Sequence, residues 1–256
     1  MLSSANARLA AARRLTRRPA RREAGRFLAE GAQAVRAALA ADAVVELFAT
    51  AQAIQRHPAL TRNAAEISAK DAAALSETVT PQGIVAVCRR TDVALATALG
   101  RDPRLVVGLV EPADPGNAGT VVRTADAAGA QAVMFAGGVD VYNGKVVRAS
   151  AGSVFHLDVV VDVQATSLIA AARAAGLRVL ATTATGARNL DDLVDGDQLR
   201  QPTMWLFGSE AHGLPDGVVA AADASVRVPI HGHAESLNVA AAAAVCLYAS
   251  ARAQRR

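Results

Sequence analysis

The sequence predicts an α/β protein with a mostly parallel sheet, preceded by a smaller α/β unit. Three observations predict it. Short apolar runs alternate with helical stretches along nearly the whole chain, the pattern of strand–helix–strand units. Two glycine-containing polar loops follow apolar strands near the C-terminus, where open α/β sheets place ligands. At 256 residues the chain is long enough for one large or two smaller cores.

The elements follow in order. Residues 3 to about 16 predict a helix ending near Pro19. Phe27 to Gly31 is a short strand running into a turn, and Ala32 to Ala40 a helix. Val44 to Ala49 is a strand, then a helix runs to about His57, where Pro58 stops it. Glu66-Ile67, a helix from Lys70 to Leu75 and the strand Gly83 to Cys88 complete a first domain over residues 1–95, arginine-rich at its start. Thr91 to Pro103 reads as the connector, and residues 103–256 as the second domain. There the strands are Leu105–Val110, Ala132–Phe135, Val159–Val161, Leu177–Ala181, Met204–Phe207 and Val226–Ile230. The helices lie within Pro115–Gly129, from Lys145, across Ser167–Ala175, and from Asn238, where Val239, Ala242, Ala243 and Cys246 follow three-four spacing.

Charge is uneven. Residues 1–26 hold eight arginines against the single acid Glu23, whereas the whole chain carries only +4. Such a cluster fits a polyanion, and with no interleaved aromatics it points to phosphate rather than base contact; a solvated helix face remains the alternative. No apolar run approaches the roughly 18 residues needed to span a bilayer, and no apolar segment follows the N-terminal charges, so the reading is cytoplasmic, with no membrane. Cys88 and Cys246 sit far apart in apolar stretches, as small buried hydrophobes do.

Glu111 to Gly119 joins a strand to a helix, and free N–H groups at a helix start suit an anion; Arg123 follows in the first turns. A simple capping turn with Asn117 at or near the cap is the competing reading. Lys145 and Arg148, three apart, share a helical face suited to phosphates or to solvent. Gly138 to Lys145 fails as a phosphate loop, being one residue too long with Val146 in place of the hydroxyl. His212, His231 and His233 lack zinc spacing, so no metal is expected. Ser209 and Ser236 stand in no nucleophile elbow. The missing Gly-x-Gly-x-x-Gly after the larger domain's first strand argues against a Rossmann nucleotide enzyme.

Three segments together are specific: Asn117-Ala118-Gly119-Thr120-Val121-Val122-Arg123-Thr124-Ala125; Phe207-Gly208-Ser209-Glu210-Ala211-His212-Gly213-Leu214; and Val228-Pro229-Ile230 with Ser236-Leu237-Asn238-Val239-Ala240. In this order they resemble the motifs of the SpoU (TrmH) family of RNA ribose 2′-O-methyltransferases, members of the knotted SPOUT group. More loosely, the FLAEG and QGIVAVC strings resemble the substrate-binding domain that precedes the catalytic one in rRNA-directed members. The resemblance implies a C-terminal trefoil knot, a homodimer paired through the C-terminal domain, and S-adenosylmethionine as cofactor. It implies 23S rRNA as substrate, with tRNA as the alternative, and a non-catalytic RNA-binding or assembly protein as the rival of another class. By the same resemblance the catalytic residues are Arg123, Asn117, Glu210, Ser236 and Asn238. The cofactor would lie against Thr182, Thr183, Ala184, Gly208, Ser209, Gly213, Ile230, Ser236 and Leu237. RNA would be gripped by Arg13, Arg14, Arg17, Arg18, Arg21, Arg22, Lys145 and Arg148. A guanidinium holds its proton firmly, so Arg123 is read first as a group that binds phosphate and orients the 2′-hydroxyl, and only second as the base that the family resemblance suggests.

Overall fold

In a computed structural model describing residues 1–255, the chain forms two compact units. The first comprises Met1–Thr91 with Asp140–His156, and the second Asp92–Val139 with the chain from Leu157 onward. Residues 140–156 therefore leave the second stretch of sequence to pack with the first.

The first unit starts with α1 (Ala7–Arg14) and α2 (Arg18–Ala24). Pro19 does not end a helix as expected; it opens α2, because a ring lacking N–H costs nothing in a helix's first turn. Strands β1 (Arg26–Glu30), β2 (Val44–Ala49), β3 (Ala65–Glu66) and β4 (Ile84–Arg89) form a mixed sheet in the order β1-β4-β2-β3. Helices α3 (Ala32–Ala40), α4 (Ala51–Arg56) and α5 (Ala69–Ala74) connect them. Thr50 and Ser68 cap α4 and α5 by accepting from Ala53 N–H and Asp71 N–H.

The 140–156 segment carries α8 (Gly144–Ala149) and contributes Tyr142 and Phe155, whose rings lie 4.5 and 5.6 Å from that of Phe27. These aromatics, with the buried Val146, Val147 and Val154, attach the segment by apolar burial. A buried ion pair, Arg21 to Asp140 at 2.7 Å, adds geometric definition.

The second unit contains α6 (Leu95–Leu99), β5 (Leu105–Val110), α7 (Pro115–Ala128), β6 (Ala132–Ala136), β7 (Asp158–Val160), α9 (Ala165–Ala174) and β8 (Arg178–Thr182). It continues with β9 (Arg188–Asn189), α10 (Leu190–Asp195), β10 (Thr203–Phe207), α11 (Asp216–Ala221), β11 (Ala224–Arg227) and α12 (Val239–Gln254). The seven strands run β7-β6-β5-β10-β8-β11-β9, every pair parallel. Parallel strands covered on both faces must be apolar throughout, which is why β5, β6 and β10 are buried at every position.

Three sequence expectations change here. β11 stops at Arg227 rather than Ile230, since Pro229 cannot donate to a ladder and restrains Val228 before it. β9 and α10 were not expected. On α12 the buried set is Ala240, Ala243, Cys246, Leu247, Ser250 and Ala251, so Val239 and Ala242 lie off that face. Cys88 and Cys246 are fully buried, and burial pushes both thiols up to about 12. Among the described residues no helix is long and apolar enough to cross a membrane.

Candidate functional site

Because all strands of the second unit are parallel, the loops after β5, β8, β10 and β11 emerge at one edge of the sheet. Three of them meet through a few hydrogen bonds. After β5, Asp114 caps α7 by accepting from Asn117 N–H at 2.7 Å, with Pro115 in the first turn. The cap is thus Asp114, not Asn117. This frees the Asn117 side chain: its Nδ2 donates to Glu210 Oε1 at 2.9 Å, and its Oδ1 accepts from Asn238 Nδ2 at 3.1 Å. The signal for the cap stood in the sequence as an acid immediately before a proline.

The loop after β10 folds back tightly. Ser209 N–H donates to Gly213 O and Gly213 N–H to Ser209 O, at 3.1 and 2.9 Å. A side chain at Gly208 would place its Cβ 2.1 Å from the Gly213 carbonyl carbon, so only glycine permits this closure. The closed loop presents Glu210, whose Oε2 accepts from Ala113 N–H at 3.2 Å. Partial removal from water pushes the Glu210 carboxyl up. Hydrogen bonds from Asn117 and from the backbone at Glu210, Ala113 and Asp114 outweigh that and hold it below the ordinary carboxylate value.

After β11, residues 228–238 run as irregular chain to Asn238, which caps α12 through Ala240 N–H at 2.8 Å. Asn238 therefore starts one helix while holding the residue that stands in the first turn of another. Asn117, Glu210 and Asn238, from the three separate motifs, form one hydrogen-bonded chain.

Beside this chain lies a cavity of about 500 Å³, within the range of sites for small organic ligands. Thr182, Thr183, Ala184, Gly208, Ser209, Gly213, Ile230, Ser236 and Leu237 all line it, together with Asn117, Glu210 and Asn238. Sequence reasoning missed Phe207, Val226, Val228, Val239 and Ala242, which also face it, and Glu235. The apolar ones resembled ordinary core in a one-dimensional reading. Among the described residues, no hydrogen bond engages the backbone N–H groups from Ile230 to Leu237, so they remain able to hold a ligand. Apolar walls for a purine, open backbone groups and two carboxylates for a positively charged end fit S-adenosylmethionine in size and chemistry.

Arg123 is not brought to this cavity. It is exposed on the outward side of α7 with Thr120 and Ala127 and has no partner among the described residues. His212, His231 and His233 are exposed on the loops, and no three metal-ligating side chains converge among the described residues.

The first unit sorts the predicted RNA contacts. Arg13 pairs with the buried carboxylate of Asp71, and Arg148 pairs with Glu30 at 3.3 Å. Arg21 is only 3% exposed and, besides Asp140, donates to the carbonyls of Leu15 and Thr16, both at 2.9 Å. These three arginines hold elements together. Arg14, Arg17, Arg18, Arg22 and Lys145 are exposed.

Known proteins match both units. Residues 104–248 match the SpoU rRNA Methylase family, and residues 6–86 the MRM3-like substrate binding domain. A curated relative, the 23S rRNA (guanosine(2553)-2′-O)-methyltransferase RlmP of Bacillus subtilis (strain 168), is 38% identical over 176 residues, 68% of this chain and 67% of that protein. The crystal structure of an AdoMet-bound rRNA methyltransferase from Sinorhizobium meliloti superposes with a TM-score of 0.84 at 31% identity, covering 98% of this chain and 97% of that one. The SpoU methyltransferase AviRb from Streptomyces viridochromogenes, in complex with AdoMet, does so at 0.80 and 31%, covering 98% of each chain. With its three motifs joined in one cavity wall and the family match spanning more than half its length, this chain belongs to the SpoU rRNA Methylase family.

Proposed function

We propose that this protein is an S-adenosylmethionine-dependent ribose 2′-O-methyltransferase acting on 23S rRNA. The observation that carries the reading is the Asn117–Glu210–Asn238 chain set against a cavity of the right size and polarity. When bound, S-adenosylmethionine supplies an activated methyl group for in-line transfer to oxygen. What the protein must add is alignment, which alone contributes on the order of 7 kcal/mol in well-posed reactions.

The roles divide accordingly. Thr182, Thr183, Ala184, Gly208, Ser209, Gly213, Ile230, Ser236 and Leu237 hold the cofactor, mostly by backbone. Glu210 fixes Asn117, and Asn117 with Asn238 and Ser236 orients the ribose. Arg123 binds the adjoining phosphate and polarises the 2′-hydroxyl, and deprotonation of that hydroxyl by Arg123 is the sharper form of the same role.

Arg123 lies away from its own cavity, which supports a site completed across a homodimer. Ile230, Leu237, Val245 and Tyr248, exposed at 37, 39, 44 and 54%, support pairing through the C-terminal region. The reading includes a C-terminal trefoil knot, supported by the return of α12 from β11, near one end of the sheet, to pack on α7 and against β10. The first unit serves as the RNA substrate-binding domain, residues 1–95 in sequence terms, followed by the methyltransferase domain over 103–256. The site of action is the cytoplasm.

The test is methyl transfer from radiolabelled S-adenosylmethionine to separate unmodified 23S rRNA, 16S rRNA and tRNA transcripts, with wild type and Arg123→Ala. Label in 23S rRNA that disappears with Arg123→Ala is the expected result. Label in tRNA alone would overturn the substrate, and cofactor binding without label in any RNA would overturn turnover on naked RNA.

A further inference from the structure

The chain leaves β8 at Thr182 and resumes as β9 at Arg188. Both residues stand level with Val226 of β11, which lies between the two strands in the sheet. Connections between parallel strands ordinarily take about a dozen residues or more, because the chain must return to the starting end. Here β9 begins where β8 stops, so residues 183–187 suffice, and they pass across the face of β11 instead. The crossing point is Gly186. A Cβ there would stand 2.4 Å from the Val226 carbonyl carbon and 2.5 Å from the Arg227 nitrogen, both backbone atoms, so only glycine lets the chain lie this close.

A segment lying over a strand's face has no ladder of its own, and each buried peptide group in it must find another partner. Three consecutive residues of β11 supply them. Val226 O accepts from Thr183 N–H at 3.0 Å, and Ser225 Oγ accepts from Ala187 N–H at 3.0 Å. The carbonyl of the buried Gly186 accepts from the Arg227 guanidinium at 2.7 Å. At the entry, the Thr182 hydroxyl donates to Leu206 O of β10 at 2.7 Å. Between these pins no hydrogen bond engages Ala184 N–H among the described residues, and Ala184 faces the cavity with Thr182 and Thr183.

We propose that Arg227 is a positioning residue for the cofactor: acting through the Gly186 carbonyl, its guanidinium fixes the crossing so that Thr182, Thr183 and Ala184 stand as a preset wall of the cavity. This rests on the reading of that cavity as the S-adenosylmethionine site. Arg227 does not line the cavity, and it has no carboxylate partner among the described residues, so holding the crossing is what its charge does here. A hydrogen bond from a charged donor is stronger than one between neutral groups. Without it the Gly186 carbonyl loses its partner, residues 183–187 loosen, and their ordering falls on the binding step, which weakens affinity.

Isothermal titration of S-adenosylmethionine into full-length wild type, Arg227→Met, Arg227→Lys and Gly186→Ala decides this, with methyl-transfer kinetics alongside. Methionine keeps an unbranched stem and removes the donors. Its dissociation constant rises roughly tenfold, the scale of one hydrogen bond from a charged, partly screened donor. KM for S-adenosylmethionine rises with it, while kcat and KM for RNA hold. Lysine keeps a charged donor and recovers part of the affinity, and Gly186→Ala, which displaces the crossing itself, weakens binding at least as much as methionine does. In the unliganded methionine variant, amide hydrogen exchange quickens at Thr183 and Ala187. A lost structural prop would instead lower the folded fraction, and so kcat, at unchanged cofactor affinity. That outcome, or wild-type affinity in Arg227→Met, would overturn the role of Arg227 and leave the methyltransferase reading intact. A wild-type protein that binds no S-adenosylmethionine would overturn the reading of the cavity and this inference with it.

Discussion

Replacing Glu210 by glutamine separates alignment from mere loop structure. The carboxylate accepts from Asn117 Nδ2 at 2.9 Å, from Ala113 N–H at 3.2 Å and from Asp114 N–H. An amide keeps one acceptor oxygen and turns an N–H donor toward groups that are themselves donors, so at least one of these bonds is lost. Hydrogen bonds to a charged group contribute about 1.5–3 kcal/mol when sheltered. Glu210 is largely exposed, and solvent screening reduces that to about 1 kcal/mol each. A loss of about 1–2 kcal/mol in holding Asn117 converts to roughly a 5- to 30-fold fall in kcat/KM. The thermal midpoint moves by only a few degrees, because about 1 kcal/mol shifts a chain of this size by 2–4 °C.

Single-turnover methyl transfer to the RNA, measured for Glu210→Gln, Asn117→Ala and the double variant, tests this directly. Residues in one hydrogen-bonded network couple by about 0.5–3 kcal/mol, so the double variant should be little worse than either single one. Effects that add would refute the claim that Glu210 acts through Asn117. The pH dependence has a defined sign. The folded carboxyl titrates below its ordinary 4.5, so its contribution is fully present above 4.5 and is lost only as pH falls through the lowered folded value. Wild type should therefore keep the alignment through mildly acidic pH and lose it only as pH falls further, whereas Glu210→Gln, with no carboxyl to protonate there, should show no such loss.

Gly208→Ala drives a Cβ into the Gly213 backbone at 2.1 Å and opens the loop; calorimetry should show S-adenosylmethionine affinity reduced more than tenfold. Ser250→Ala leaves the Trp205 indole N–H, which donates to Ser250 Oγ at 2.9 Å with both residues fully buried, without an acceptor. That costs about 1–3 kcal/mol, read as a lower midpoint in chemical denaturation. Arg21→Ala leaves Asp140 facing an emptied, mostly buried position and costs about 3–5 kcal/mol. Arg17→Ala, at an exposed residue with no partner among those described, leaves the melting temperature unchanged, so the pair of variants distinguishes a fold arginine from a surface one.

Strand and helix order was legible because the second unit's sheet is parallel and doubly covered, which forces continuous apolar runs such as Leu105–Val110 and Met204–Phe207. What escaped has local causes. β9 is two residues long and carries no periodicity, and β11 ends early for want of an N–H at Pro229. At Pro19 the ring permits either a helix stop or a helix start, and the sequence alone does not choose. The packing of residues 140–156 with the first unit could not be read from spacing at all. It depends on partners such as Arg21 and Asp140, 119 positions apart.

The site shows the same limit from the other side. Its motifs were legible one at a time, because each is a strand end, a glycine turn or a helix start with its own local signature. Their joint geometry was not, since Asn117 meets Glu210 and Asn238 at separations of 93 and 121 residues. Asn117 could take this part only because Asp114 caps α7 in its place. Had Asn117 been the cap, its side chain would have been spent on a backbone N–H of its own helix. The division of labour between two residues three apart is therefore what turns a helix start into one wall of the cavity, and Asp114→Ala, which keeps the Asp114 N–H bond to Glu210 but removes the cap, should disturb Glu210 and Asn238 together through Asn117.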